Sequence, residues 1–224
     1  MNKLKELGEE LRTIFSGRSN TLDTLIPPLV FAFVDLLAGL TPAMLSALGL
    51  AFGLMLYRLI RKQAWFYALS GFLLVALAVG FAWFNKSASS FFLPDLISSA
   101  IFLLAALVSI LVGRPLAAWS SHLTRAWPRD WYWHRKVRPA YIEVTWMWAG
   151  FITLRFVAQL LLYQKASALT LSWANTLLGW PVTIGVLVIS YLYGTWRLAS
   201  LRGPSVEEFL SDAPSPWQGQ KRGF

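Results

Sequence analysis

The 224-residue sequence has no cysteine and only two histidines, His122 and His134. The first absence excludes disulfides, thiol catalysis and Cys-ligated zinc. The second excludes a multi-histidine metal site built by this chain alone. Charge is also scarce: Asp, Glu, Lys and Arg make up 14% of the residues, against about 25% in soluble domains. With 56% hydrophobic residues and a mean hydropathy of +0.53, the chain has too little polar surface to face water on all sides. That composition points to an integral membrane protein. The opening residues MNKLKELGEELRTIFSGRSN hold no apolar run and no small-residue cleavage site, so no cleavable signal peptide is expected. Enzyme signatures are missing as well. There is no paired-Asp magnesium motif, no His-Glu-x-x-His helix and no Gly-x-Ser-x-Gly elbow. Arg114-Pro115 and Arg138-Pro139 match one fragment of lipid-phosphatase motifs, without the His and Ser-Gly-His elements that accompany it. We therefore expect no enzymatic activity, no metal and no cofactor.

What the chain has instead is long apolar runs. A spanning helix needs roughly 20 mainly apolar residues. Six segments qualify: 22–40, 42–59, 64–84, 93–112, 141–163 and 171–196. The first two form one continuous run, which as a single helix would reach about 57 Å, nearly twice the bilayer core. Thr41-Pro42 is the expected turn, because proline disfavours helix in the residue before it and suits a helix start. The fold class expected is an all-α, polytopic bundle of six transmembrane helices at 21–198. An amphipathic segment at 1–20 precedes it and a mobile cytoplasmic tail at 199–224 follows, with a short helical turn at 205–210. In the first segment Leu4, Leu7, Leu11 and Ile14 recur at helical spacing, beside Phe15. Such a helix lies on the inner membrane face or packs on the protein's own loops.

The cations orient the bundle. With the N-terminus inside, seventeen of the 20 Lys and Arg residues fall on inner segments. Only Lys86 and Lys165 fall outside, and Arg155 lies within a span. Cytoplasmic loops carry the excess of positive charge, so both termini are expected in the cytoplasm of a bacterial cell, with the spans in its inner membrane. The net charge of +9 is then mostly a statement about topology.

Intramembrane charges are costly and are functional hypotheses by default. Asp35 in span one and Arg155 in span five both lie on the order of 20 Å from the inner boundary, a depth that permits an ion pair. Gln159 shares a helix face with Arg155. The pair either fixes helix register or, with Gln159 and Glu143, forms a polar site for an ion or solute. Glu143 and Asp23 near the inner boundary read as interfacial salt-bridge partners or as a gate. Asp95 reads as a cap on span four. Ser46, Gly49 and Gly53 put small residues on one face of span two, a helix-packing signal within the bundle or between subunits.

The stretch WPRDWYWHRKVRP, residues 127–139, belongs to a basic aromatic loop at 113–140. From Arg114 to Arg138 it holds six cations and one acid, Asp130. Leu116, Trp119, Leu123 and Trp127 recur at three- and four-residue steps, so its first half can lie on the membrane as an amphipathic helix. Interleaved rings and cations also suit single-stranded nucleic acid. Tethered between spans, the same residues are accounted for by the headgroup preference of Trp and the attraction of Arg and Lys to anionic lipid. The expected lipid- or partner-binding residues are Arg114, Trp127, Arg129, Trp131, Trp133, His134, Arg135, Lys136 and Arg138. No nucleic-acid partner is expected.

Four features carry a resemblance: the Asp near the start of span one, Phe91-Phe-Leu-Pro-Asp95 leading into span four, Val112-Gly-Arg-Pro115 ending it, and Trp146-Met-Trp148 in span five. Across residues 22–193 the pattern resembles the bacterial intracellular septation protein A family and its uncharacterised polytopic relatives. The long Arg- and Trp-rich loop, the N-terminal segment and the tail depart from that family. The resemblance implies an inner-membrane role in envelope maintenance or division and supplies no catalytic residues. Two functions are therefore expected in turn: an envelope-biogenesis or septation-related scaffold bound to anionic lipid and to a membrane-protein or self partner, or a small oligomeric transporter or channel using Asp35 and Arg155.

Overall fold

The computed structural model describes residues 21–165, 167–220 and 223–224. Among these the chain is helical and contains no strand. The helices are α1 (Thr21–Ala38), α2 (Leu40–Ile60), α3 (Trp65–Asn85), α4 (Leu93–Leu111), α5 (Leu116–Arg125), α6 (Arg129–Trp133), α7 (Arg138–Lys165), α8 (Ala168–Leu178), α9 (Trp180–Leu201) and α10 (Val206–Leu210). A 3₁₀ turn, η1 (Ala88–Phe92), leads into α4. Five stretches are long and apolar enough to cross a membrane: Leu40–Ile60, Trp65–Asn85, Ala88–Leu111, Arg138–Gln164 and Ala168–Leu201. The chain is thus a multi-pass membrane protein. The expected first span is represented by the shorter apolar helix Ile26–Ala38. The amphipathic segment expected at 1–20 lies outside the described residues.

Two breaks differ from the sequence-based expectation. The turn between α1 and α2 falls at Gly39, not at Thr41-Pro42. Gly39 has φ 85° and ψ 179°, a region that is essentially glycine-only. Pro42 sits in the first turn of α2, where its missing N–H belongs to a group that has no helical partner anyway. The expected sixth span is two helices, α8 and α9, separated at Gly179. A Cβ there would lie 2.5 Å from the Asn175 carbonyl oxygen, so only glycine fits the break. Ser167 starts α8 by accepting a hydrogen bond from the Thr170 N–H.

The chain forms two compact units. The first comprises the described residues up to Ile97 with Ala158–Trp180. Its core joins Phe31 and Ala32 of α1, Ala43, Met44 and Ala47 of α2, Ala78, Val79 and Ala82 of α3, Phe91 and Phe92 of η1, and Ala168 and Leu171 of α8. Alanines four apart on α2 and α3 let these helices approach closely. The Phe31 and Phe91 rings stack at 4.1 Å. Ser90 is buried and shares a hydrogen bond with the Tyr163 hydroxyl. The small face at Ser46, Gly49 and Gly53 is not the packed one: both glycines are exposed with open space around them.

The second unit comprises Ser98–Val157 and Pro181–Phe224. Its core is Ala118, Trp131, Tyr132, Val137, Ala140, Tyr141 and Leu198. The tail expected to be mobile is part of this unit. Glycine- and proline-rich composition lowers local order, but Val206, Phe209 and Phe224 pack against the core and hold the segment.

Candidate functional site: a basic aromatic platform

The platform is built by turns that bring the loop back on itself. After α4, Gly113 takes φ +71°, and the Leu116 and Ala117 N–H groups at the start of α5 donate to Ser109 Oγ and Thr145 Oγ1. Those side chains satisfy donors that a helix start leaves unpaired. Ala126 in the left-handed conformation ends α5, and Pro128 opens α6. Trp131 is fully buried and its Nε1–H donates to the Pro204 carbonyl at 2.9 Å. Tyr132 is buried beside it and donates to Ser121 Oγ. Burial raises the Tyr132 pKa above the ordinary tyrosine value, which keeps the hydroxyl a donor. Trp131, Tyr132 and Tyr141 meet edge to face at 5.0–6.2 Å. The stretch therefore turns part of its aromatic surface inward, and Trp131, expected among the lipid-facing rings, belongs to the core.

The tail closes over this core. Ser205 and Glu208 form a reciprocal capping box on α10. Glu208 also accepts from the Gln218 N–H at 2.8 Å. That bond, then the one from the Ser205 N–H, holds its carboxyl below the usual carboxylate range. Phe224 stacks on Tyr141 at 4.3 Å, and Arg125 Nε donates to its carbonyl oxygen at 3.0 Å. Any side chain at Gly194 would collide with the Phe224 ring.

The cations stand outside. Arg114, Arg129, Arg135, Lys136 and Arg138 are all exposed. Trp133 and Trp127 are half-buried, with the Arg114 and Arg125 guanidinium carbons 5.2 and 5.1 Å from their respective ring centres. The Lys136 ammonium lies 5.2 Å from the Trp217 ring centre. His134 contacts the edge of Trp217 at 5.4 Å, and its Nδ1 accepts from the Lys136 N–H at 3.3 Å. Burial, and then the Lys136 charge, lower its pKa below the ordinary value, so at neutral pH it is an uncharged acceptor.

The expected intramembrane residues are divided between the two units. Asp35 lies in the first unit and Arg155 in the second, so neither unit alone holds the expected pair. Glu143 is engaged within the second unit. Arg197 grips its carboxylate with two bonds, Nε–Oε2 at 2.7 Å and Nη2–Oε1 at 2.8 Å, and Tyr193 donates to Oε2 at 2.7 Å. Gln159 is buried in the first unit, and its Nε2 donates to Asp95 Oδ2 at 2.6 Å and Asn175 Oδ1 at 2.7 Å. Its own Oε1 is buried without a hydrogen bond. Asp95 had read as a cap, and Asn175 had not been singled out; its one sequence signal is an amide inside an apolar run. That cluster joins α4, α7 and α8 through polar atoms, an arrangement able to fix packing or to receive a hydrogen-bonding solute.

A model of the family described as "Protein of unknown function (DUF3159)" matches residues 15–197. Neither a curated protein nor a solved structure matches the chain.

Proposed function

The chain belongs to the DUF3159 family, and from that premise we propose a non-enzymatic scaffold of the bacterial inner membrane that acts in envelope biogenesis or septation. In this reading six helices span the membrane, α1 being the first and α8 with α9 the last. Both termini and the platform lie in the cytoplasm, and residues 1–20 form an amphipathic helix on the same face. The seventeen-to-two division of cations supports this orientation. At 18 residues, α1 is about 27 Å long, close to the thickness of the hydrocarbon core. The resemblance to the intracellular septation protein A family supports the cellular role.

The observation that carries the reading is the platform's division of labour. Its buried rings stabilise a fixed surface, and its cations are displayed on that surface. Leu123 of α5 is 81% exposed, as an apolar side chain entering the headgroup layer would be. A rigid basic surface beside anionic lipid holds the membrane and leaves its remaining face for a partner, another membrane protein or a second copy. Trp131→Ala tests this. Loss of a buried tryptophan costs about 3–5 kcal/mol locally and strands the Pro204 carbonyl. Proteins that co-purify with the wild-type chain are expected to be lost from the variant while its spans stay inserted. Retention of the same partners by a variant with a disordered platform would refute the scaffold reading.

A second reading, a small oligomeric transporter or channel, is favoured by the Gln159 cluster, since a buried amide with an unsatisfied oxygen is unusual in an apolar bundle. It predicts solute flux in liposomes that Gln159→Leu abolishes. A purified chain that moves no solute contradicts it.

A further inference from the structure

We propose that Arg114 and Arg138 form a clamp for the phosphate of an anionic phospholipid, with its acyl chains lying against Leu111 and Val112. This rests on the platform reading and makes it specific. The clamp is built around Gly113. Its φ of +71° turns the chain out of α4, and Arg138 Nη1 lies 3.5 Å from where a Cβ on that glycine would be. The Arg138 guanidinium thus lies in van der Waals reach of Gly113, directly beside the residue that precedes Arg114. Arg114 lies over the Trp133 ring, which restricts where its guanidinium can go. The Arg138 guanidinium and the backbone of Arg114 therefore meet at one turn.

Neither has a carboxylate partner among the described residues. The contrast within the same unit is plain: Arg197 is held bidentately by Glu143, and Arg125 bonds the Phe224 carbonyl. Two like charges gathered at one turn raise the local potential and favour a bound anion. Guanidinium forks match phosphate oxygens in pairs, which ammonium groups do not. The neighbouring residues select the source of that phosphate. Leu111 is 85% exposed and Val112 67% exposed, immediately before the turn. A soluble phosphate leaves those apolar side chains uncovered, whereas a phospholipid covers them and presents its phosphate to the arginines together. The Val112-Gly-Arg-Pro115 motif then has a physical reading: an apolar foot, a glycine whose positive φ makes the turn that Arg138 reaches, and the first arginine.

The test titrates the purified full chain in detergent micelles and counts bound lipid by native mass spectrometry. Three probes separate the sources: phosphatidylglycerol, phosphatidylcholine with the same acyl chains, and water-soluble glycerol phosphate. Wild-type protein is expected to prefer phosphatidylglycerol and to bind glycerol phosphate at least tenfold more weakly. R114Q/R138Q is expected to raise the phosphatidylglycerol Kd by about thirty-fold, the effect of two cations at their usual contribution near anionic lipid. R61Q/K62Q, which removes two exposed cations outside the platform, is expected to stay within about threefold of wild type. Unchanged phosphatidylglycerol binding by R114Q/R138Q overturns the clamp, and so does glycerol phosphate binding as tightly as the lipid. An equal loss in both double variants also overturns it while leaving the platform reading standing, because the general field would then suffice. If R114Q/R138Q does not fold, R114K/R138K keeps both charges and removes the forks. A loss of several-fold is expected there, and wild-type binding rejects the clamp.

Discussion

At the scale of single residues, backbone chemistry decides what side-chain chemistry cannot. Gly39 separates two apolar helices through a conformation that other residues enter only under strain. Nothing surrounds its Cβ position, so the cost of Gly39→Ala is purely conformational. We expect a loss of about 1–3 kcal/mol, read as a lowered unfolding midpoint in detergent, with Ala38→Gly nearby showing no comparable effect. A wild-type midpoint for Gly39→Ala would contradict the turn. The sequence pointed to the right run and to a turn inside it, but proline is the louder letter and glycine's φ is invisible in hydropathy. His134 is the second residue-scale case. Its pKa in the folded chain lies below the ordinary value of 6.5. Above 6.5 the ring is neutral both folded and unfolded, and its contribution is complete. As pH falls below that, the unfolded chain takes the proton first, so stability declines through the folded pKa. A protonated ring also loses its bond from the Lys136 N–H. Relative to intrinsic exchange rates, lower protection of the amides in residues 203–220 is expected at pH 5.5 than at pH 7.5, and His134→Gln, which cannot titrate, should lose that dependence. Identical pH dependence in the variant would rule His134 out as the cause.

At the scale of elements, helices were legible and their relations were not. Apolar runs located α2, α3, α4 and α7 to within a few residues, because a span's length is set by the bilayer. The division of the last run into α8 and α9 was hidden, since Gly179 interrupts the backbone without interrupting the hydropathy. The tail misled for a related reason: its Pro, Ser and Gly content reports local propensity, while Phe209, Trp217 and Phe224 hold it through tertiary contacts. Trp131 shows the same limit, because an aromatic composition does not distinguish a ring in a core from a ring among headgroups. The Glu143–Arg197 pair links α7 to α9; from the sequence Glu143 read as an interfacial salt-bridge partner, a gate or a member of a polar site, with no partner named. Both side chains remain about one third exposed, 32% and 31%, so solvent screening reduces its value below that of a dry pair. Glu143→Gln is expected to cost about 1–3 kcal/mol. A double-mutant cycle with Arg197→Gln should show most of that cost as coupling, and additive losses would mean that the pair is incidental.

At the scale of the whole molecule, one asymmetry organises the account. The exposed arginines and lysines are concentrated in the platform, and the proposed orientation puts seventeen cations on one side of the spans and two on the other. The proposed scaffold and the phospholipid clamp both need that platform in the cytoplasm, the side that the positive-inside bias predicts for it. The absence of cysteine makes this directly measurable, since any introduced thiol is the sole target of a maleimide. Lys86→Cys, after α3, and Ser211→Cys, after α10, are exposed positions that the proposed orientation assigns to opposite sides. In intact cells a membrane-impermeant maleimide is expected to label Lys86→Cys and to leave Ser211→Cys unmodified until the membrane is opened. Labelling of Ser211→Cys in intact cells, with Lys86→Cys protected, would contradict the account at its centre.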